Sequence, residues 1–259
     1  MVHSGQVCYF PGLAALETAI GYDQTIASLQ AALPNHRVQN YFQQKPTLLA
    51  EADHLAVAWN SSANGSDRNV VGLITGRNYT TQNTSPAFVH ISTLHVAEAQ
   101  QRGSLLKKLI ATMFVGIWRR EGNLPTWTAI KTFNPSVYNA LLRMQQMIGD
   151  GVVLYPESTS TRSEDNMAIE HVAGQIAALI EPNCFFDSAT GAIRGGGGSI
   201  GGSYWPATPR SSHDEINRFF DERLAATDRM LCVLGLDEKR GKPSTVKLLT
   251  RWMASVPSK

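Results

Sequence analysis

Between residues 88 and 114 the apolar positions change their period. Residues 88–96 are dense in β-branched and aromatic side chains, which suit a pleated and largely buried strand. From Leu105 the apolar side chains recur every three or four residues, which predicts an amphipathic helix. The loop between them, residues 100–104, contains Arg102 and Gly103. Because the free amides at a helix start and a nearby arginine favour an anion, this join predicts a phosphate-binding loop.

The same patterns predict helices and strands along the rest of the chain. A helix at 14–33, broken at Gly21, precedes two β-like runs at 55–59 and 70–76 that a turn-rich loop joins as a hairpin. Residues 38–47, which lie between this helix and the first β-like run, are irregular in pattern. Later elements are a strand at 127–132, a helix opened by Asn134 and Pro135, helices at 167–180 and 212–226, a buried strand at 230–235 and a last helix at 245–254.

Residues 149–205 include the least regular part of the sequence. A polar run at 157–166 predicts an exposed loop, and a run of glycines fills 195–202. Consecutive glycines suit a flexible loop or hinge, and they can also form an amide nest for anions or a mobile lid. No Gly-Lys-Ser/Thr follows to make a nucleotide-binding phosphate loop, so we expect an ordinary loop here.

Composition and charge exclude several classes of protein. The chain has 259 residues, enough for one large or two small domains, and its formal charge of +2 is too small to imply nucleic-acid binding by itself. Its three cysteines are far apart and odd in number, which favours core packing over disulfides or a zinc site. No apolar run approaches the roughly 20 residues of a membrane span, and no secretion signal opens the chain. We therefore expect a cytoplasmic protein without a membrane partner.

The residues of the join carry a resemblance to a known family. Val96 followed by Gln100-x-x-Gly103-x-Leu105 resembles the acyl-coenzyme A signature of the GNAT acetyltransferase superfamily, although Leu105 stands where the family usually has Gly or Ala. In that family the loop amides hold the pyrophosphate and the preceding strand pairs with the pantetheine arm. The resemblance implies coenzyme A contacts from Leu94, His95, Val96, Gln101, Arg102, Gly103, Ser104, Leu105 and Asn134.

The resemblance also implies a fold and an activity. The expected fold is α/β, with a mixed, mainly antiparallel sheet whose strand ending at Val96 diverges from the strand at 127–132, flanked by helices. We expect one domain over 1–259 with residues 149–205 as an insertion. The implied reaction moves an acetyl or other acyl group from acyl-coenzyme A to an amine or hydroxyl of a small-molecule acceptor, without a metal.

The candidate acid is Tyr138. In that family a tyrosine about two helical turns after an asparagine often protonates the departing thiolate. Tyr138 follows Asn134 by only about one turn, so a packing role is the alternative.

The candidate base is less clear, because the central strand lacks the carboxylate that many family members carry. Since side chains alternate along a strand, His90, Ser92 and Leu94 share one face, while Thr93 and His95 share the other. His95 and Ser92 are the catalytic candidates from this strand. A buried, hydrogen-bonded histidine is the alternative for His95.

Two other functions stay open at this point. Leu105, the missing carboxylate and the displaced Tyr138 also fit a non-catalytic GNAT-fold module that binds coenzyme A or nothing. Alternatively, the donor is an acyl carrier protein or an aminoacyl-tRNA, the one case in which we expect a nucleic-acid partner, and basic pairs such as Arg119-Arg120 would be its docking sites. The acceptor and the oligomeric state are not determined by the sequence.

Overall fold

The structure is a computed structural model that describes residues 6–61, 68–80, 87–101, 103–157, 164–197 and 209–254. Its helices are α1 (Leu13–Ala19), α2 (Tyr22–Ala32), α3 (Val38–Gln44), α4 (Leu105–Glu121), α5 (Pro135–Ile148), α6 (Glu164–Ile180), α7 (Asp214–Asp221) and α8 (Gly241–Ala254). Its strands are β1 (Gln6–Phe10), β2 (His54–Ser61), β3 (Arg68–Tyr79), β4 (Phe88–Val96), β5 (Trp127–Thr132), β6 (Val152–Tyr155), β7 (Phe185–Asp187), β8 (Ala192–Arg194) and β9 (Arg229–Leu236).

Local sequence signals explain most element boundaries. The predicted first helix is indeed broken at Gly21, whose φ of 93° separates α1 from α2. Asn134 caps α5, because its side-chain oxygen accepts a hydrogen bond from the Ser136 amide. The stretch predicted to be irregular is instead the short helix α3, which buries Val38 and Phe42 on one face. Strand β1 was not predicted.

The first of two compact units consists of Met1–Asn78, Ile91–Leu124 and Val246–Lys259. Its strands follow the order β1, β2, β3, β4, and the β1–β2 and β2–β3 pairs are antiparallel. Side chains on both faces of β2 are buried from Leu55 to Ala58, so this strand is covered on both sides. Helix α4 packs against β1 and β2 and places Leu109 and Ile117 in the core.

The second unit consists of Tyr79–His90 and Pro125–Thr245, and every residue of its long strand β9 is buried. β9 pairs antiparallel with β5 over its length, with β6 in its second half and with β8 in its first two residues. β7 pairs antiparallel with β8. Helix α6 packs on β6 and β9 around a core cluster that includes Ile169, Ile176, Leu231 and Val233.

The expected α/β class and the mixed, mainly antiparallel sheet are confirmed. Residues 149–205, predicted as an insertion, contribute β6 and β8, which pair with β9 along the edge opposite β5. The interpretation as one domain with an insertion stays a prediction, as does the divergence of the central strands. Of the glycine run at 195–202, only residues 195–197 lie within the described part of the chain.

Two helical glycines allow a direct test of this packing. Gly116 in α4 faces the Tyr9 ring, and a Cβ built there would overlap ring atoms. Gly174 in α6 has room, since the nearest atom to its built Cβ is a Phe186 ring carbon at 3.9 Å. We expect Gly116→Ala to lower the free energy of unfolding by about 1–3 kcal/mol. The matched control Gly174→Ala should raise it by up to about 1 kcal/mol.

Urea unfolding followed by circular dichroism measures both values. A Gly116→Ala protein as stable as wild type would show that Tyr9 does not pack against α4 as described.

Candidate functional site

The predicted order of strand, loop and helix is present in the first unit. β4 ends at Val96, a 3-10 helix spans Glu98–Gln100, and α4 begins at Leu105. The Ala97 amide donates to the Val71 carbonyl at 2.8 Å, and the Gln101 side-chain amide donates to the Val96 carbonyl at 3.2 Å. Hydrogen bonds made by Ala97 and Gln101 therefore hold the loop to β3 and to the end of β4.

The start of α4 keeps its first amides available. The Gly103 amide bonds back to the Gln100 carbonyl at 3.2 Å, whereas Ser104 at the N-cap makes no side-chain capping hydrogen bond. The amides of the first helical turn have no intrahelical acceptor. Gly103 is exposed and Arg102 lies outside the described residues. This turn is thus suited to an anionic group, as the sequence predicts.

Leu105 departs from the family pattern, and the structure shows where its side chain goes. It is 7% exposed, and its Cδ2 lies 3.3 Å from a Cβ built on Gly72 of β3. Leu109 fills the same space, with its Cδ1 at 2.9 Å from that position. The larger side chain therefore packs down onto the sheet, in the gap left by a glycine of the neighbouring strand.

The alternation predicted for β4 matches the burial of its side chains. Thr93 and His95 are buried on one face, and Ser92, Leu94 and Val96 are only partly buried on the other. The second face is thus the one with accessible side chains. Ser92 lies on it, away from His95.

His95 lies among aromatic rings in the core. It is 4% exposed, its Nε2 is 3.0 Å from Thr93 Oγ1, and the rings of Tyr41 and Phe42 lie 5.6 Å from it. Burial, and then the neighbouring His36, lower the pKa of His95 from 6.5 to about 3. The ring is therefore neutral at physiological pH and a weak proton acceptor.

Tyr138 and Asn134 belong to the second unit. Tyr138 is fully buried, its hydroxyl donates to the Pro156 carbonyl at 2.6 Å, and its ring stacks on Phe219 at 5.1 Å between centroids. The Asn134 side chain is used as the α5 cap. Both residues have clear local roles in holding α5.

The sequence analysis missed a polar cluster beside the loop. The His36 Nδ1 is 3.4 Å from Glu98 Oε1, and the Asn35 side-chain amide is 3.2 and 3.3 Å from the two Glu98 oxygens. His36 is 7% exposed; burial lowers its pKa, and the Glu98 carboxylate opposes that shift. No local motif links residues more than sixty positions apart, so only their approach in the fold identifies them.

A second buried histidine, His54, lies near the end of α4. Its Nε2 is 3.0 Å from the Asn78 side-chain oxygen and its Nδ1 is 2.8 Å from the Tyr9 hydroxyl. Because Asn78 offers an acceptor, Nε2 carries the proton and Nδ1 accepts from Tyr9. Both ring nitrogens are thus satisfied in the neutral form, and burial lowers the pKa of His54.

Within the described ranges, no group of three or more His, Cys, Asp or Glu side chains is placed to hold a metal ion. The helices of these ranges are also too short or too polar to cross a membrane.

The buried His95 predicts a pH dependence of stability. Its pKa is about 3 in the folded chain against 6.5 when unfolded, so the unfolded chain binds the proton more readily. The contribution is complete above pH 6.5 and is lost as pH falls toward 3. We expect His95→Gln to reduce the stability lost between neutral pH and about pH 4 by on the order of 3 kcal/mol.

Urea unfolding at several pH values measures this loss, and His213→Asn, with a side chain 39% exposed, is the control. Parallel pH curves for wild type and His95→Gln would contradict the burial of a neutral ring.

Comparison with known proteins gives matches only among solved structures. No family model matches the chain, and no curated protein matches it. It is similar to a chain of the NatC complex bound to Gag peptide and CoA, at 16% identity and a TM-score of 0.35, over 57% of this chain and 85% of that one. It is also similar to Chaetomium thermophilum Naa20 in complex with a bisubstrate analogue, at 15% identity and a TM-score of 0.33, over 58% and 72% of the two chains.

A third similar structure is the GNAT family N-acetyltransferase YhbS from Escherichia coli in complex with CoA, at 10% identity and a TM-score of 0.34, over 53% of this chain and 67% of that one. At such identities and TM-scores the likeness is distant, and the chemistry of the site has to follow from the chain's own residues. The solved structures to which the chain is similar thus include a GNAT family N-acetyltransferase in complex with CoA.

Proposed function

We propose that this chain transfers an acyl group from a coenzyme A thioester to an amine or hydroxyl of a small-molecule acceptor. The observation that carries the proposal is the join from β4 to α4, where a fixed loop presents an exposed glycine and the free amides of a helix start. This geometry suits a pyrophosphate. The accessible face of the strand before it suits an extended thioester arm that lies along the strand.

In this proposal the pyrophosphate lies in front of residues 101–105. Gly103 offers no side chain that would keep phosphate oxygens from the backbone. The pantetheine arm runs along the face of Ser92, Leu94 and Val96, and a backbone amide near Val96 polarises the thioester carbonyl. Leu105 does not obstruct the phosphate, because its side chain packs onto β3.

The assignment of Tyr138 as acid and of His95 or Ser92 as base stays a prediction. Tyr138 would have to leave the Pro156 carbonyl, or share its proton with it, to protonate a thiolate. His95 at a pKa of about 3 holds a proton poorly near neutral pH. These two observations favour the second candidate function, a GNAT-fold module that binds coenzyme A without catalysis.

The first test of the proposal is coenzyme A binding. Gly103→Asp places a side chain and a negative charge where the pyrophosphate would lie, so we expect at least a tenfold loss of affinity, about 1.4 kcal/mol. The control is Asn123→Asp, which adds the same charge just beyond the other end of α4 and keeps an oxygen for the Leu124 amide. Isothermal calorimetry with coenzyme A and acetyl-coenzyme A measures both.

Equal affinity in wild type and Gly103→Asp, with both folded by circular dichroism, would overturn the placement of the pyrophosphate. Absence of binding in wild type to coenzyme A, acetyl-coenzyme A and a longer acyl-coenzyme A would overturn the proposed function.

Tyr138→Phe separates catalysis from packing. Removing the hydroxyl leaves the buried Pro156 carbonyl without its donor, so we expect a loss of about 1–3 kcal/mol in the free energy of unfolding. A catalytic acid would in addition contribute about 10²–10⁴-fold to kcat. Rates of thiol release from acetyl-coenzyme A, taken well below the melting temperature, show whether the second effect exists. A stability loss with unchanged kcat would assign Tyr138 to the core alone.

A further inference from the structure

A groove of about 430 Å³ lies between α2 and α3 in the first unit. Side-chain amides dominate its wall, among them Gln30, Asn35 and Asn40, and His36 and Arg37 complete it. Each amide side chain both donates and accepts hydrogen bonds. The groove therefore suits a small polar ligand rich in hydrogen-bonding groups.

The turn that carries His36 is held in one conformation. The Gln30 side-chain amide donates to the His36 carbonyl at 2.8 Å, and its oxygen accepts from the Gln39 amide at 3.2 Å. The His36 amide itself donates to the Leu33 carbonyl at 3.0 Å. The half-buried Gln30 side chain thus joins α2, the turn and α3, so the position of His36 at the groove is fixed before any ligand binds.

Behind the groove, His36 meets a carboxylate. Glu98 Oε1 is 3.4 Å from the His36 Nδ1, and Asn35 holds both carboxylate oxygens from the side. A proton taken up by the His36 ring would create an imidazolium within ion-pair distance of this carboxylate. This arrangement is that of a histidine base with an orienting acid.

The charged and titratable groups around His36 act in opposite directions. Glu98 on the 3-10 helix favours a protonated His36 ring, whereas the burial of the site disfavours it; the nearby His95 on β4 stays neutral. Arg37, the next residue, lies in the groove wall and carries a positive charge of its own. An ordinary surface pair lacks this balance, because solvent screens it.

We propose that His36 is the catalytic base of the acyl transfer and that Glu98 and Asn35 are its positioning residues, with the acceptor held in the groove between α2 and α3. This inference rests on the proposed function. Glu98 follows Val96, the residue nearest the proposed thioester, by two positions, so the carboxylate absent from the strand comes from the turn after it. His95 is the poorer base, since it lies in the core and does not line the groove.

The proton balance is complete with a primary ammonium acceptor. The His36 ring takes one proton from the ammonium group, and the freed nitrogen lone pair attacks the thioester carbonyl carbon. The C–N bond forms, the C–S bond breaks, and the thiolate takes the second proton lost by the nitrogen. The product is an amide and free coenzyme A, and the imidazolium returns its proton to solvent.

The test compares two histidine–glutamate pairs. His36→Asn and Glu98→Gln alter the proposed pair, while His213→Asn and Glu215→Gln alter an exposed pair of similar spacing, 3.3 Å, on α7 and its cap. Thiol release from acetyl-coenzyme A is followed with glycinamide, ethanolamine and glucosamine as acceptors, across pH. Coenzyme A affinity of each variant is measured by calorimetry.

We expect His36→Asn to lower kcat/KM by about 10²-fold or more with coenzyme A affinity unchanged. Glu98→Gln removes the group that favours the imidazolium, so the acidic limb of the pH–rate profile should move to lower pH and the rate should fall. The His213 and Glu215 variants should match wild type. Nuclear magnetic resonance titration measures the lowering of the His36 pKa in Glu98→Gln directly, without an assay of activity.

Each other result overturns a stated part of the proposal. A His36 pKa that Glu98→Gln leaves unchanged overturns the pairing, whether or not coenzyme A binds. Coenzyme A binding with no acetylation of these amines, or with a pH profile that neither variant alters, overturns the base alone. No coenzyme A binding in wild type overturns the proposed function and this catalytic role with it.

Discussion

The first turn of α4 rests in a gap in strand β3, and the position of the candidate site depends on that contact. Gly72 has no side chain, and Leu105 and Leu109 occupy the space that one would fill. Protein interiors are close-packed, so a side chain at Gly72 would push the helix outward. The loop between Val96 and α4 spans a fixed distance because β4 is held in the sheet and α4 is held against Gly72. Its free amides point at one place for the same reason.

Buried polar groups form a second constraint on the first unit. His54 and His95 are both neutral in the folded chain: His54 is held by hydrogen bonds to Tyr9 and Asn78 on the neighbouring strands, and His95 by one to Thr93 on its own strand. Charging either ring in the core costs more than charging it in water, which links the stability of this unit to pH. His36 differs from both, because it stands between the core and an open groove and has a carboxylate beside it.

These two constraints suggest a division of labour along β4 and its loop. The helix start and Gly103 offer charge-complementary backbone without titratable groups, which is suited to binding. Proton transfer needs a group whose charge can change at modest cost, and His36 with Glu98 meets that need better than the enclosed His95. In the second unit, the Tyr138 hydroxyl donates to the Pro156 carbonyl and its ring stacks on Phe219, so this residue contributes first to stability.

The sequence alone determined the features that depend on neighbours along the chain. The change of period near Leu105 predicted the strand, loop and helix, because hydrophobic period is a property of one segment. Gly21 predicted the break between α1 and α2, and Asn134 with Pro135 predicted the start of α5, because caps and breaks act within a few residues. The alternation along β4 followed from strand geometry alone.

Tertiary structure decided everything that joins distant residues. A motif comparison could not show that Leu105 packs against Gly72, since which way a side chain packs depends on the strand beneath the helix. Nor could it show that His36 meets Glu98, 62 positions later in the chain, because the turn between α2 and α3 comes close to the 3-10 helix only in the folded unit. The sequence thus predicted an anion-binding loop, and the packing of distant segments decided the burial and partner distances of the histidines, which set their pKa values.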